Sequence, residues 1–220
     1  MIVWVASFPR SGNTFFRILL HRLYQVPTYV VYDVDGVADQ IGTDLMDFRP
    51  RPGTFDQLRT SSEVFFIKTH RQRSDPLVSE RDRAICLVRD GRDCVVSWAR
   101  LRTAHHVDQP DYETLFAAEA RAIITRQSGG TAHWGQNVLS WRQSTAPDPI
   151  WIRYDDLIVD PLDTVRAAVA ATDNAERHHD AAAGLPALAP RARRRPSGAT
   201  RLRLHRSHCH RLVRRVTWSP

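Results

Sequence analysis

The chain opens on Ile2-Val3-Trp4-Val5-Ala6-Ser7, an unbroken apolar run cut short by Pro9-Arg10. A short run of this kind, rich in β-branched and aromatic residues, predicts a first strand. Residues 29–32, 64–68, 84–88 and 150–153 carry the same signature. Between these segments the apolar period lengthens from continuous to helical. Over 14–24 it brings Phe15, Ile18, Leu19 and Leu23 to one face, and over 93–101 Val95, Val96, Trp98 and Leu101. Residues 111–126 and 134–142 also read as helices, and Pro161 stands where a helix over 162–171 would begin. Strands alternating with helices predict an α/β domain, its parallel sheet covered on both faces.

The periodicity stops near Thr172. From Asn174 onward the chain is Arg, Ala, Pro and His in strings such as 191–196 and 205–211, which predicts a basic, disordered tail over 174–220. This division relocates the net charge of +7. Residues 174–220 hold 11 arginines against Glu176 and Asp180, while residues 1–173 carry 20 basic and 22 acidic side chains. The domain itself lacks the basic footprint of a nucleic-acid binder, so no nucleic-acid partner is expected. A chain of 220 residues suits one domain with a real core. No apolar run approaches the roughly 20 residues of a membrane span, and the N-terminus lacks the basic start of a signal peptide. Cys86, Cys94 and Cys209 have no metal-ligand spacing. Reduced core thiols, a cytoplasmic location and no metal are the expectation.

Candidate chemistry gathers where predicted strands end. The first strand runs into Phe8-Pro9-Arg10-Ser11-Gly12-Asn13-Thr14 and then a helix. Strand, glycine-containing turn and helix N-terminus form an oxyanion cradle, because the first helical N–H groups have no intrahelical acceptor. Gly12 allows close backbone approach, Ser11, Asn13 and Thr14 offer donors, and Arg10 adds a forked cation. An ordinary capped strand-to-helix turn has a similar composition. The Gly-x4-Gly-Lys-Ser/Thr loop of ATP and GTP binders is absent, which disfavours a kinase. A second strand delivers Arg89-Asp90-Gly91-Arg92-Asp93 into a helix bearing Ser97, so that a guanidinium and a hydroxyl two turns on can share one phosphate. A third ends in Lys68-Thr69-His70, where His70 is placed to act as a general base or simply to sit at the surface.

These segments, in this order, resemble the sulfotransferase family that uses 3′-phosphoadenosine 5′-phosphosulfate (PAPS). Residues 7–14 are similar to its 5′-phosphosulfate loop, with Arg10 where the cytosolic branch has Lys. Arg89 to Ser97 is similar to its 3′-phosphate element, and Lys68-Thr69-His70 to its K-x-H. Tyr154-Asp155-Asp156-Leu157 is like its Y-[E/D]-D-L, and residues 134–141 are like a helix that packs below its site.

The resemblance covers about residues 1–172. It implies a P-loop-NTPase-like three-layer fold with a central parallel sheet flanked by helices. It also implies sulfuryl transfer from PAPS, a co-substrate, to a hydroxyl or amine of a small-molecule or glycan acceptor. Arg10, Ser11, Gly12, Asn13 and Thr14 would hold the phosphosulfate, Arg89 and Ser97 the 3′-phosphate, and Tyr154 would approach the nucleotide. Arg10 and Lys68 would offset developing charge, and His70 would take the acceptor's proton. The acceptor pocket is expected from 33–60 and 105–112. One family segment, a late Gly- and Trp-containing stretch that closes over the donor, has only a weak echo at Arg195-Pro196-Ser197-Gly198. A frame-shifted or diverged C-terminus would explain this. The alternative function is therefore a catalytically impaired PAPS- or nucleotide-binding module.

Overall fold

A computed structural model describes residues 1–32, 49–126, 130–143 and 147–180. Its strands are β1 (Ile2–Ser7), β2 (Thr28–Val30), β3 (Phe65–Thr69), β4 (Arg83–Val88) and β5 (Ile150–Arg153). They form one sheet in the order β2-β3-β1-β4-β5, and every pairing is parallel. All six residues of β1 are buried, as expected for a central strand covered on both faces. The helices are α1 (Asn13–Tyr24), α2 (Phe55–Thr60), α3 (Gly91–Arg102), α4 (Tyr112–Thr125), α5 (Trp134–Arg142), α6 (Tyr154–Val159) and α7 (Pro161–Asp180).

Alternation along β1 sorts the core into two layers. Trp4 and Ala6 face a cluster holding Leu58 of α2 and Trp141 of α5. Val3 and Val5 face Phe16 and Leu20 of α1 and Val165 of α7. A third cluster ties Phe8 to Cys94, Val95 and Ala99 of α3 and Ile123 of α4. Connections from β1 and β4 leave toward opposite edges of the sheet, so the carboxyl ends of these neighbours flank a topological switch point. Ligands of open α/β sheets bind at such a crevice.

The boundaries differ from the sequence expectation in three informative places. β2 stops at Val30, leaving Tyr32 in a bend beyond the sheet. Helix α2 went unpredicted, although Thr54 and Gln57 form a capping box at its start. Helix α7 begins on Pro161 and runs through Asn174 to Asp180, across the point where composition turns basic. Residues 181–220, with most of the expected tail, and 33–48, with part of the expected acceptor pocket, lie outside the described residues. Among the described residues no helix is long and apolar enough to cross a membrane.

Candidate active site

The loop between β1 and α1 is held in an unusual backbone shape. Arg10 has φ +70° and Gly12 φ +96°, two left-handed residues within three positions. Left-handed geometry costs a side-chain-bearing residue about 1–2 kcal/mol, so Arg10 must be held from outside. Arg89 Nη1 donates to the Arg10 carbonyl at 3.3 Å, and Arg10 Nε donates to Ser97 Oγ at 3.0 Å. Gly12 is required twice over, because a Cβ there would lie 2.8 Å from Cδ2 of Tyr154.

Two of the expected side-chain donors turn inward instead. Asn13 Nδ2 donates to the Val5 carbonyl at 2.8 Å and to Ser7 Oγ at 3.2 Å, stapling the start of α1 onto β1. Ser11 Oγ lies 3.3 Å from Cys94 Sγ in a fully buried contact. Thr14 sits half-buried in the first turn of α1. What Ser11 and Asn13 offer an anion is thus main-chain N–H at a helix start, in a concavity whose shape their side chains maintain.

Arg89 leaves the end of β4 and enters the same crevice. Its guanidinium stacks over the Tyr154 ring at 4.4 Å, with Nη2 3.6 Å from Asp93. Its Nε is buried with no hydrogen-bond partner. Trp134 Nε1 donates to the Arg89 carbonyl at 3.1 Å, and the Trp134 ring lies so close to Gly91 that a Cβ there would meet it at 2.8 Å. Burial lowers the Arg10 pKa, and the positive charge of Arg89 pushes it the same way. Two partly buried guanidiniums beside a helix N-terminus are mutually unfavourable until an anion separates them. Burial also pushes the Cys94 thiol up to about 11, so it contributes no negative charge at neutral pH. The residues present fit a ligand with more than one phosphate or sulfate.

His70 follows β3 directly, and contacts with Ser7, Tyr32 and Asn137 hold it. Nδ1 donates to the Ser7 carbonyl at 2.8 Å, with Ser7 Oγ at 3.3 Å. Its main-chain N–H donates to Tyr32 Oη at 3.0 Å, and its carbonyl accepts from Asn137 Nδ2 at 2.9 Å. Burial raises the Tyr32 pKa, against the opposing pull of that N–H, so the phenol stays neutral. A proton on Nδ1, assigned from the hydrogen-bond network, puts the neutral ring's lone pair on Nε2. Lys68 lies two residues earlier, buried and in register with Val5 of β1.

The structure therefore brings Arg10, Gly12, Arg89, Ser97 and Tyr154 into direct contact, and it ties His70 to the end of β1 through Ser7. The sequence pattern assigns no site role to Tyr32, Cys94, Trp134 or Asn137. Each acts through contacts distant in sequence that no local pattern signals.

Residues 2–170 match the family described as the sulfotransferase domain. The chain belongs to that family. A WSCD family member of Aedes aegypti is 25% identical over 163 residues, covering 74% of this chain and 47% of that protein. A WSCD family member of Drosophila melanogaster is 26% identical over 157 residues, covering 70% and 44%. The chain thus spans less than half the length of these relatives. Mouse sulfotransferase SULT7A1 complexed with PAP aligns with a TM-score of 0.50 at 16% identity, over 77% of this chain and 57% of that one. This likeness bears out the P-loop-NTPase-like three-layer fold expected of a sulfotransferase domain.

Proposed function

We propose that this sulfotransferase domain moves a sulfuryl group from PAPS to a hydroxyl or amine of a small-molecule or glycan acceptor. The observation that carries the reading is the convergence of Arg10 and Arg89 at the β1/β4 switch point, where Arg89 donates to the Arg10 carbonyl and Arg10 donates to Ser97. Main-chain N–H groups from Ser11 to Thr14 would cradle the phosphosulfate. Arg89 and the Ser97 hydroxyl would hold the 3′-phosphate, and the partnerless Nε of Arg89 supplies a further donor. Tyr154, already under the Arg89 guanidinium, would border the nucleotide.

PAPS supplies an activated sulfuryl group whose S–O bond breaks as the acceptor bond forms. The chain's own residues position the reactants and move one proton. His70 accepts the acceptor's proton on Nε2, while the Ser7 carbonyl holds the developing imidazolium through Nδ1. Arg10 neutralises the oxygen that keeps the electron pair of the broken bond, with Lys68 a second buried cation. Arg cannot act as a proton donor here, so Arg10 serves by charge alone.

Calorimetry on the full chain tests the reading. Adenosine 3′,5′-bisphosphate (PAP) should bind more tightly than ATP, and Mg2+ should not be needed. Tighter, Mg2+-dependent ATP binding would overturn the assignment. Normal PAP and PAPS binding without turnover on any acceptor would leave a PAPS-binding module instead.

A further inference from the structure

One face of α5 reads the main chain of the loop that carries His70. Asn137, Ser140 and Trp141 lie three and four residues apart, which places them on the same side of the helix. Asn137 Nδ2 donates to the His70 carbonyl at 2.9 Å, and Trp141 Nε1 donates to the Arg71 carbonyl at 3.1 Å. Ser140 Oγ accepts the Arg73 main-chain N–H at 3.1 Å, and donates its own proton to the Asn137 carbonyl at 2.7 Å. Three of four successive loop residues are thus held by consecutive contacts from one helix.

Asn137 has the most demanding part. The residue is 1% exposed, and Nδ2 also donates to the Thr131 carbonyl at 3.0 Å. Two carbonyls on one nitrogen settle the amide's orientation, since an oxygen there would face two acceptors. Both amide protons are committed, one to the turn bearing His70 and the other to the chain entering α5. A hydroxyl offers one proton and a carboxylate offers none, so an amide alone among small side chains satisfies both. Opposite this contact, Tyr32 Oη accepts the His70 N–H at 3.0 Å. The peptide groups on either side of the His70 Cα are therefore anchored before the ring meets Ser7.

We propose that Asn137 is a positioning residue for His70: by holding the His70 carbonyl it aims Nδ1 at the Ser7 carbonyl and so keeps the basic nitrogen at Nε2. The inference rests on His70 being the base. Nothing in it requires Asn137 to touch donor or acceptor.

The test is imidazole 15N spectroscopy on the full-length chain, with His70→Gln to assign the signal. Wild type should show His70 as a single Nδ1–H tautomer at neutral pH. Asn137→Asp keeps the side chain's size and removes both donors. It should convert His70 to an averaged mixture of tautomers and lower kcat by about 10- to 100-fold, as expected when a reacting group is misaimed. PAP affinity should stay within about twofold, because the β1/β4 crevice is untouched. A folded Asn137→Asp whose His70 signal matches wild type overturns the proposal. Asn137→Ser, smaller and uncharged, makes the same comparison if the carboxylate prevents folding. In the wild type itself, both Asn137 side-chain amide protons should exchange slowly with solvent, and fast exchange would refute the two-carbonyl contact without any variant. Normal turnover by His70→Ala would instead remove the base and leave this contact intact, so the two failures are separable.

Discussion

Arg10 Nε donates to Ser97 Oγ across 3.0 Å, joining residues 87 positions apart in the chain. The bond links the loop proposed for the phosphosulfate to the helix proposed for the 3′-phosphate. A serine that accepts through its oxygen keeps its own proton to donate, so Ser97 can serve Arg10 and a phosphate together. Ser97→Ala removes one proposed donor to the ligand and one anchor of a strained loop residue. PAP affinity should fall by about 1 kcal/mol, or roughly fivefold, in calorimetry. Unchanged affinity would place Ser97 outside the site.

Arg89 should matter more, because the bonds proposed for it to a phosphate would be charge-assisted. Arg89→Ala is expected to weaken PAP binding by about 1.5–3 kcal/mol, roughly 10- to 150-fold. The Tyr154 ring, not its hydroxyl, lies under the guanidinium. Tyr154→Phe should therefore bind PAP nearly as wild type, while Tyr154→Ala should lose about 0.5–2 kcal/mol. A Phe variant as weak as the Ala variant would show that the hydroxyl is the working group.

How much of this was legible beforehand depends on distance along the chain. The β1 loop and the Arg89–Ser97 element could be read because each is a strand, a turn and a helix start within about a dozen residues. Helix α2 was also legible in principle, through Thr54 and Gln57, and the short apolar content around Leu58 hid it. The setting of His70 was not. Ser7, Tyr32 and Asn137 lie 63, 38 and 67 residues from it, and only packing brings them together. The inward turn of Asn13 was equally hidden. Its residue type suits a phosphate donor and a helix staple alike, and the Val5 carbonyl decides between them.

The proposed base and the proposed donor seat draw on different strand ends, His70 after β3 and the Arg10–Arg89 pair after β1 and β4, which allows them to be separated. His70→Ala should leave PAP affinity within about twofold and abolish transfer, since the ring's bonds to Ser7 involve neither Arg10 nor Arg89. Initial rates and calorimetry on the same preparation check this. Near-normal turnover would remove His70 from the mechanism.

Cys94 predicts a pH dependence of stability. Burial raises its pKa to about 11 from a usual value of 9.0. The folded state then holds the thiol proton more tightly than the unfolded chain. The corresponding stability is complete below pH 9 and is lost as pH rises toward 11. Two units bound the effect at about 3 kcal/mol. Cys86 is shifted in the same direction, so the informative comparison is between wild type and Cys94→Ala. Urea midpoints measured at pH 8 and pH 10.5 should fall less in the variant. Equal falls would mean that the thiol ionises as readily folded as unfolded.

Gly12 offers the most discriminating stability test, because two separate obstacles oppose a side chain there. The first is its φ of +96°, at which an added Cβ costs about 1–2 kcal/mol whatever surrounds it. The second is the Tyr154 ring, 2.8 Å from where that Cβ would stand. Gly12→Ala must bear both, and the ring cannot retreat without leaving the Arg89 guanidinium that stacks on it. Removing the ring in a Gly12→Ala/Tyr154→Ala double variant lifts only the second obstacle. The double variant should then be less destabilised than the sum of the two single changes, with about 1 kcal/mol or more of coupling. Thermal and urea unfolding of the four proteins gives that number. Strict additivity would show that the loop moves freely away from Tyr154, and the tight seat proposed for the phosphosulfate would not exist.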